Sequence, residues 1–241
     1  MVNLLALDTA TAVTSVALLA DQRVLVSRLE PSKSHSTTLL PLIDTLLAQV
    51  GWGRRAIEAV AVGIGPGSFT GVRIGLTVAK TLAYALAIPL VGISSLRALA
   101  ENALALPIVD ELEVCPILDA LKNEIYGARF TFVRSGATMT RATVRDAEAA
   151  FQPAHFAKRL AEGTAQVMLL GNGLTRYRTI FTNALGNRAI IPDDTQLHQI
   201  QADALGLLAF KRLAVNDTDS PHQLEPLYCR LSEAELARLK I

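Results

Sequence analysis

The sequence predicts an α/β fold built as two halves with mixed sheets. Three observations predict it. Apolar strand-like runs alternate with segments of helical periodicity. The strand–turn–strand plan of the first thirty residues recurs at residues 113–143. A glycine-dense turn, Gly63-Ile64-Gly65-Pro66-Gly67-Ser68-Phe69-Thr70-Gly71, joins an apolar run to a long apolar helix pattern.

In chain order, Leu4–Asp8 reads as a buried strand, Thr9–Val13 as a small polar turn and Thr14–Leu19 as a second strand. Ala20-Asp21-Gln22 turns into a third, Arg23–Arg28. Ser36–Gln49 carries Leu39, Leu42, Ile43, Leu46, Leu47 and Val50 at helical spacing. Pro41 lies in its first turns, so that helix starts late or bends. Ala59–Ile64 is a strand, Gly71–Ala87 a helix and Ser94–Leu104 another. The second half repeats the hairpin: Glu113–Leu118 ending in Asp119, a turn at Ala120–Asn123, Glu124–Val133, a turn at Arg134–Gly136, then Ala137–Thr143. Asp8 and Asp119 thus stand at equivalent strand ends. A polar stretch, Arg141–Ala150, precedes a helix near Pro153–Glu162. Val167–Leu170 is a strand ending in Gly171-Asn172-Gly173, and Ala202–Leu213 a last helix.

Composition narrows the function classes. The chain has 241 residues, 51% apolar and 19% charged, with a net charge of +1. That suits a globule with a large core and gives no global field toward nucleic acid or membrane. Its longest apolar stretch, after Lys80, is broken by Pro89 and falls short of the roughly 18 residues of a membrane span. Cys115 and Cys229 form no CxxC pair, so neither a disulfide framework nor a zinc site is indicated, and a reducing cytosol is the simplest compartment.

Several constellations could carry chemistry. Asp8 and Asp119 either face each other across a cleft and hold a metal–phosphate complex, or each caps its own turn. Gly171 and Gly173 either let an adenosine-type group lie on the backbone or form an ordinary turn. The glycine loop at 63–75 lacks the Gly-Lys-Ser/Thr of a Walker A loop and does not fit the dinucleotide fingerprint. Gly71, Gly75, Ala79, Ala83 and Ala87 form a stripe of small residues along one helix face. The Leu39–Val50 and Gly71–Ala87 helices read equally as a subunit interface or as internal core. Histidines 35, 155, 198 and 222 include no i, i+4 pair, and there is no Gly-x-Ser-x-Gly elbow.

Together these residues resemble the TsaB family, also called YeaZ, of bacterial tRNA-modification proteins. The resemblance covers nearly the whole chain. Its pieces are Leu7-Asp8-Thr9-Ala10-Thr11, His35 with Leu40-Pro41-Leu42-Ile43, and Gly65-Pro66-Gly67-Ser68-Phe69-Thr70-Gly71-Val72-Arg73-Ile74-Gly75. Ala79-Lys80, Val91–Leu96 and Asp119–Tyr126 follow, and Pro226-Leu227-Tyr228-Cys229-Arg230 is similar to a terminal Pro-x-Tyr-Leu-Arg signature, with Cys229 in place of leucine. The resemblance implies the actin-like, sugar-kinase and Hsp70 ATPase superfold, with two duplicated ribonuclease-H-like subdomains at residues 1–105 and 106–241. It implies a scaffold subunit that binds TsaD and supports recruitment of TsaE, while TsaD transfers a threonylcarbamoyl group to adenosine 37 of ANN-decoding tRNA. It implies a cytoplasmic protein that forms a heterodimer with TsaD and a homodimer when alone, with indirect or weak tRNA contact and no membrane association.

TsaD carries a His-x-x-x-His metal motif where this chain has Ser95 and Leu99. A hydroxyl and an isobutyl group cannot hold a transition metal. The resemblance therefore implies no catalytic and no metal residues. A vestigial nucleotide site would involve Asp8, Thr9, Asp119, Gly171 and Gly173. Cofactors are none for the chain alone, with ATP or ADP and magnesium expected only at a joint site with TsaD and TsaE. The expected partner face comprises His35, Leu39, Leu42, Ile43, Leu46, Gly71, Gly75, Ala79, Leu82 and Leu86. The alternative is an independent actin-like ATPase or small-molecule kinase using Asp8 and Asp119, and a metallopeptidase is disfavoured by the missing histidines.

Overall fold

A computed structural model describes residues 2–106, 111–135 and 138–230. The first half runs β1 (Asn3–Asp8), β2 (Val13–Ala20), β3 (Arg23–Pro31), α1 (His35–Gln49), β4 (Ala59–Gly63), α2 (Phe69–Leu86), β5 (Leu90–Ile93) and α3 (Ser95–Glu101). The second runs β6 (Glu111–Leu121), β7 (Glu124–Ser135), β8 (Thr138–Phe151), α4 (Pro153–Ala161), β9 (Val167–Leu170), α5 (Leu174–Leu185), β10 (Ala189–Ile190) and α6 (Ala202–Leu213).

Both sheets have five strands and the same plan. The first is ordered β3-β2-β1-β4-β5 and the second β8-β7-β6-β9-β10. In each, three antiparallel strands lead into two parallel ones. This is the duplicated, actin-like α/β architecture. Equivalent residues confirm the repeat. Asp8 Oδ1 accepts from the Ala10 amide at 2.8 Å, and Asp119 Oδ1 accepts from the Leu121 amide at 2.9 Å. Each aspartate thus closes the turn after the first strand of its sheet.

Five layers stack. The α1–α2 layer covers one face of the first sheet through Leu39, Ile43, Leu46 and Leu76. The central layer, α3 and α6, lies between the sheets in one continuous core that includes Leu4, Val91, Leu99, Val114, Phe130 and Leu205. The α4–α5 layer covers the outer face of the second sheet through Phe156, Tyr177 and Phe181. Strands buried on both faces read as unbroken apolar runs, which is why β1, β4, β5 and β9 are legible as such.

A division by chain order at 105/106 separates the sheets but not the packing. Helix α6 lies on the first sheet, where Gly206 sits so close to Leu19 that a Cβ would stand 2.6 Å from its Cδ1. The Ala202 amide donates to Ser15 Oγ at 2.8 Å.

The structure differs from the sequence reading at four places. Helix α1 runs unbroken from His35 through Pro41, whose ring is exposed. The polar stretch at 141–150 belongs to β8, an edge strand whose free side tolerates polar residues. Helix α5 was not anticipated, although Leu174, Tyr177, Phe181 and Leu185 are buried at helical spacing. The turn expected at 134–136 has β-strand at Arg134 and Ser135, and its last residue lies outside the described residues. No helix among the described residues is long and apolar enough to cross a membrane.

Candidate functional site: a cleft and an adjoining helix groove

The glycine loop is held against the end of β1. The Ser68 amide donates to the Ala10 carbonyl at 2.7 Å, and Ser68 Oγ caps α2 by accepting from the Gly71 amide at 3.2 Å. A Cβ on Gly67 would stand 2.3 Å from the Ala10 carbonyl oxygen. The loop's glycines therefore serve close packing of strand, turn and helix.

Beyond the loop lies a cleft of about 1100 Å³ between the halves. Its walls are the loop at 66–74, the start of α1, the Leu118–Leu121 hairpin and the Pro226–Arg230 segment. Next to it, α1 and α2 enclose a groove of about 440 Å³ lined by Leu39, Leu40, Phe69, Ile74 and Val78 among others. His35, Ser36, Phe69, Thr70, Arg73 and Ile74 line both cavities. His35 ties the start of α1 to the first hairpin: Nε2 lies 2.8 Å from the Thr11 carbonyl and Nδ1 2.7 Å from Thr14 Oγ1. A proton on Nε2, with Nδ1 accepting from the threonine, satisfies both contacts.

The expected nucleotide residues do not assemble. Asp8 is 1% exposed and faces inward, accepting from Ser95 Oγ at 2.6 Å. Burial raises its pKa, against the smaller lowering from Ser95, the Ala10 amide and His35. Thr9 is fully buried and donates to the Gly71 carbonyl at 2.7 Å. Gly171, at φ +112°, and Gly173 pack on the end of β6, where a Cβ on Gly171 would stand 2.2 Å from the Ile117 carbonyl oxygen. Their turn is structural, and only Asn172 of the three lines the cleft. Asp119 alone of the five candidates lines it, half-buried.

The expected partner face is also redrawn. Leu39, Ile43 and Leu46 are core residues. Gly71, Gly75 and Ala79 face inward, with Gly71 against the Thr9 carbonyl and Gly75 against Thr9 Oγ1. The stripe exists so that α2 can lie close on its own sheet. His35, Leu42, Leu82 and Leu86 are half-buried, as are Ile74 and Val78, and the exposed apolar side chains on these helices are Leu40, Phe69 and Tyr84. An α-helix apolar nearly all round offers no signal for which side faces the sheet, so sequence reasoning did not single out Leu40, Phe69 and Tyr84.

Ser95 and Leu99 occupy the metal-motif positions in an inert setting. Ser95 Oγ also accepts from the Gly65 amide at 3.1 Å, and Leu99 is fully buried. Among the described residues no group of three His, Cys, Asp or Glu side chains could hold a metal ion.

The model of the family described as TsaD, tRNA N6-adenosine threonylcarbamoyltransferase, matches residues 29–238. The tRNA threonylcarbamoyladenosine biosynthesis protein TsaB of Bacillus subtilis is 31% identical over 97% of this chain and 96% of its own length. The chain belongs to the TsaB (YeaZ) family. The Escherichia coli TsaB is 28% identical over 95% of this chain and 94% of its own. The solved YeaZ of Pseudomonas aeruginosa superposes with a TM-score of 0.77 at 31% identity, covering 95% of this chain and all of that one.

Proposed function

We propose that this chain is a non-catalytic subunit in tRNA threonylcarbamoyladenosine biosynthesis, docking TsaD on its α1–α2 face and supporting recruitment of TsaE. The observation that carries the reading is the open apolar groove between these helices: the 222–228 segment packs on α2 through Leu224 and Tyr228 but does not line the groove. Exposed Leu40 at its rim, 49% accessible, is the kind of side chain that a stable partner desolvates. The inert environment of Ser95 and Leu99 supports the non-catalytic role, and the names of the relatives support the place in tRNA threonylcarbamoyladenosine biosynthesis. In the absence of TsaD the same face joins a second copy, and tRNA contact is indirect.

Light scattering on the chain, alone and mixed with TsaD of the same organism, tests this. A heterodimer should replace the homodimer. Ile74→Asp and Leu40→Asp should each weaken the heterodimer about tenfold or more while the fold survives. Failure of the parent proteins to associate at micromolar concentration, or unchanged binding by both variants, would overturn the reading.

A second reading concerns the cleft. Its volume and the Asp119 carboxylate on its wall favour ATP or ADP with magnesium bound there, or beside it, once TsaD and TsaE are assembled. Equilibrium dialysis of nucleotide against the chain alone and against the assembly separates this from an independent ATPase. Turnover by the chain alone would instead support the kinase-like alternative.

A further inference from the structure

Arg73 stands at the junction of the cleft and the groove, one turn into α2. Its guanidinium lies over the Phe69 ring at 3.7 Å from the centroid. Its Nε donates to Tyr228 Oη at 2.7 Å, and the Phe69 and Tyr228 rings stack at 5.3 Å. The three side chains form a rigid cluster on the surface, with Phe69 43% and Tyr228 47% exposed. Tyr228 is held in turn by its own segment, since the Leu227 amide donates to the Ile64 carbonyl at 2.7 Å and Arg230 reaches Glu124 at 2.8 Å.

No carboxylate pairs with Arg73 among the described residues. The groove is lined by no acid, and neither α1 nor α2 has an acid in its first turn. Both helix N-termini open on the cleft beside Arg73, adding positive potential at the same end. With Cζ over an aromatic ring and Nε already engaged, the guanidinium has both terminal nitrogens without a partner among the described residues, available to a planar acceptor. Buried or rimmed arginines flanked by aromatics are the residue types that dominate binding at protein interfaces.

Resting on the docking reading above, we infer that Arg73, fixed by Phe69 and Tyr228, is the specificity anchor of that face. It receives an Asp or Glu carboxylate of the partner protein while the partner's apolar side chains fill the groove. A protein carboxylate is favoured over a free anion because the cation adjoins an open apolar groove that a small anion would leave unfilled. The second copy in the homodimer and a free phosphate are the competing occupants.

Binding of TsaD to the parent chain, Arg73→Gln, Arg73→Lys and Tyr228→Phe, measured by titration at low and high salt, tests the inference. Thermal melts of each variant confirm folding. Arg73→Gln should lose about 30-fold or more in affinity and flatten the salt dependence. Arg73→Lys should recover only part, because an ammonium neither stacks nor binds bidentately. Tyr228→Phe, which frees the guanidinium, should lose severalfold. A partner Asp or Glu changed to Arg should restore binding to Arg73→Glu. Parent binding with unchanged affinity for Arg73→Gln overturns the anchor and leaves the docking reading intact. Loss confined to self-association assigns the arginine to the second copy and overturns it. Protection of the parent by millimolar phosphate, with partner binding indifferent to Arg73, also overturns it. Failure of the parent to bind at all overturns both readings.

Discussion

Gly71→Ala tests whether the small stripe on α2 serves its own sheet. By helix propensity alone the change should stabilise by up to about 1 kcal/mol. The structure argues for the opposite sign. The new Cβ would stand 2.2 Å from the Thr9 carbonyl oxygen, about 1 Å inside ordinary contact, and 3.2 Å from Ser68 Cβ. The carbonyl belongs to buried backbone just past β1 and cannot swing away as a flexible side chain would. Gly71 is also pinned from both sides, by Thr9 Oγ1 on its carbonyl and Ser68 Oγ on its amide. Overpacking costs about 1–3 kcal/mol. Displacing the Thr9–Gly71 bond leaves buried polar atoms unpaired at about 1–3 kcal/mol more. Subtracting the propensity gain, the variant should lose about 1–5 kcal/mol, centred near 3. At roughly 2–4 °C per kcal/mol for a chain of this size, its melting temperature should fall by about 10 °C. Thermal unfolding followed by circular dichroism and calorimetry reads this directly. A variant that melts at or above the parent would refute the inward packing of the stripe and reopen it as a partner surface.

Two further outcomes follow from single residues. Burial holds the Asp8 pKa above its ordinary value, so the native state binds that proton more tightly than the unfolded chain. The stabilising contribution is complete below the unfolded pKa of about 4 and is lost as pH rises through the folded value. Asp8→Asn should therefore gain stability relative to the parent as pH rises from acid toward neutral, and a pH-independent difference in urea midpoints would contradict this. Ala87, the C-cap of α2, sits at φ +54° in the left-handed region. Ala87→Gly should stabilise by about 1 kcal/mol, read as a raised urea midpoint at unchanged slope.

The repeat of strand, hairpin and helix was legible because it is written in local pattern. Doubly buried strands such as Val167–Leu170 are unbroken apolar runs, and Ala202–Leu213 keeps its helical face. The placement of Asp8 and Asp119 at matching strand ends was legible for the same reason. Their diverging environments were not. Asp8 turns inward because Gly63 leaves room for its carboxylate and Ser95 meets it from α3, 87 residues away. That contact exists only once β4, β5 and α3 have folded beside β1.

By itself the sequence determined the two-sheet plan, most of its elements, and the absence of histidines at the metal-motif positions, because these depend on residue type and short-range periodicity. Only the tertiary structure decided which side of α1 and α2 is core and which is open. Both helices are apolar on several faces, so the sheet beneath them and the long-range Phe69–Arg73–Tyr228 cluster choose the exposed side. It also decided that the Gly171-Asn172-Gly173 turn packs on Ile117, since a glycine's role depends on which backbone approaches it in space.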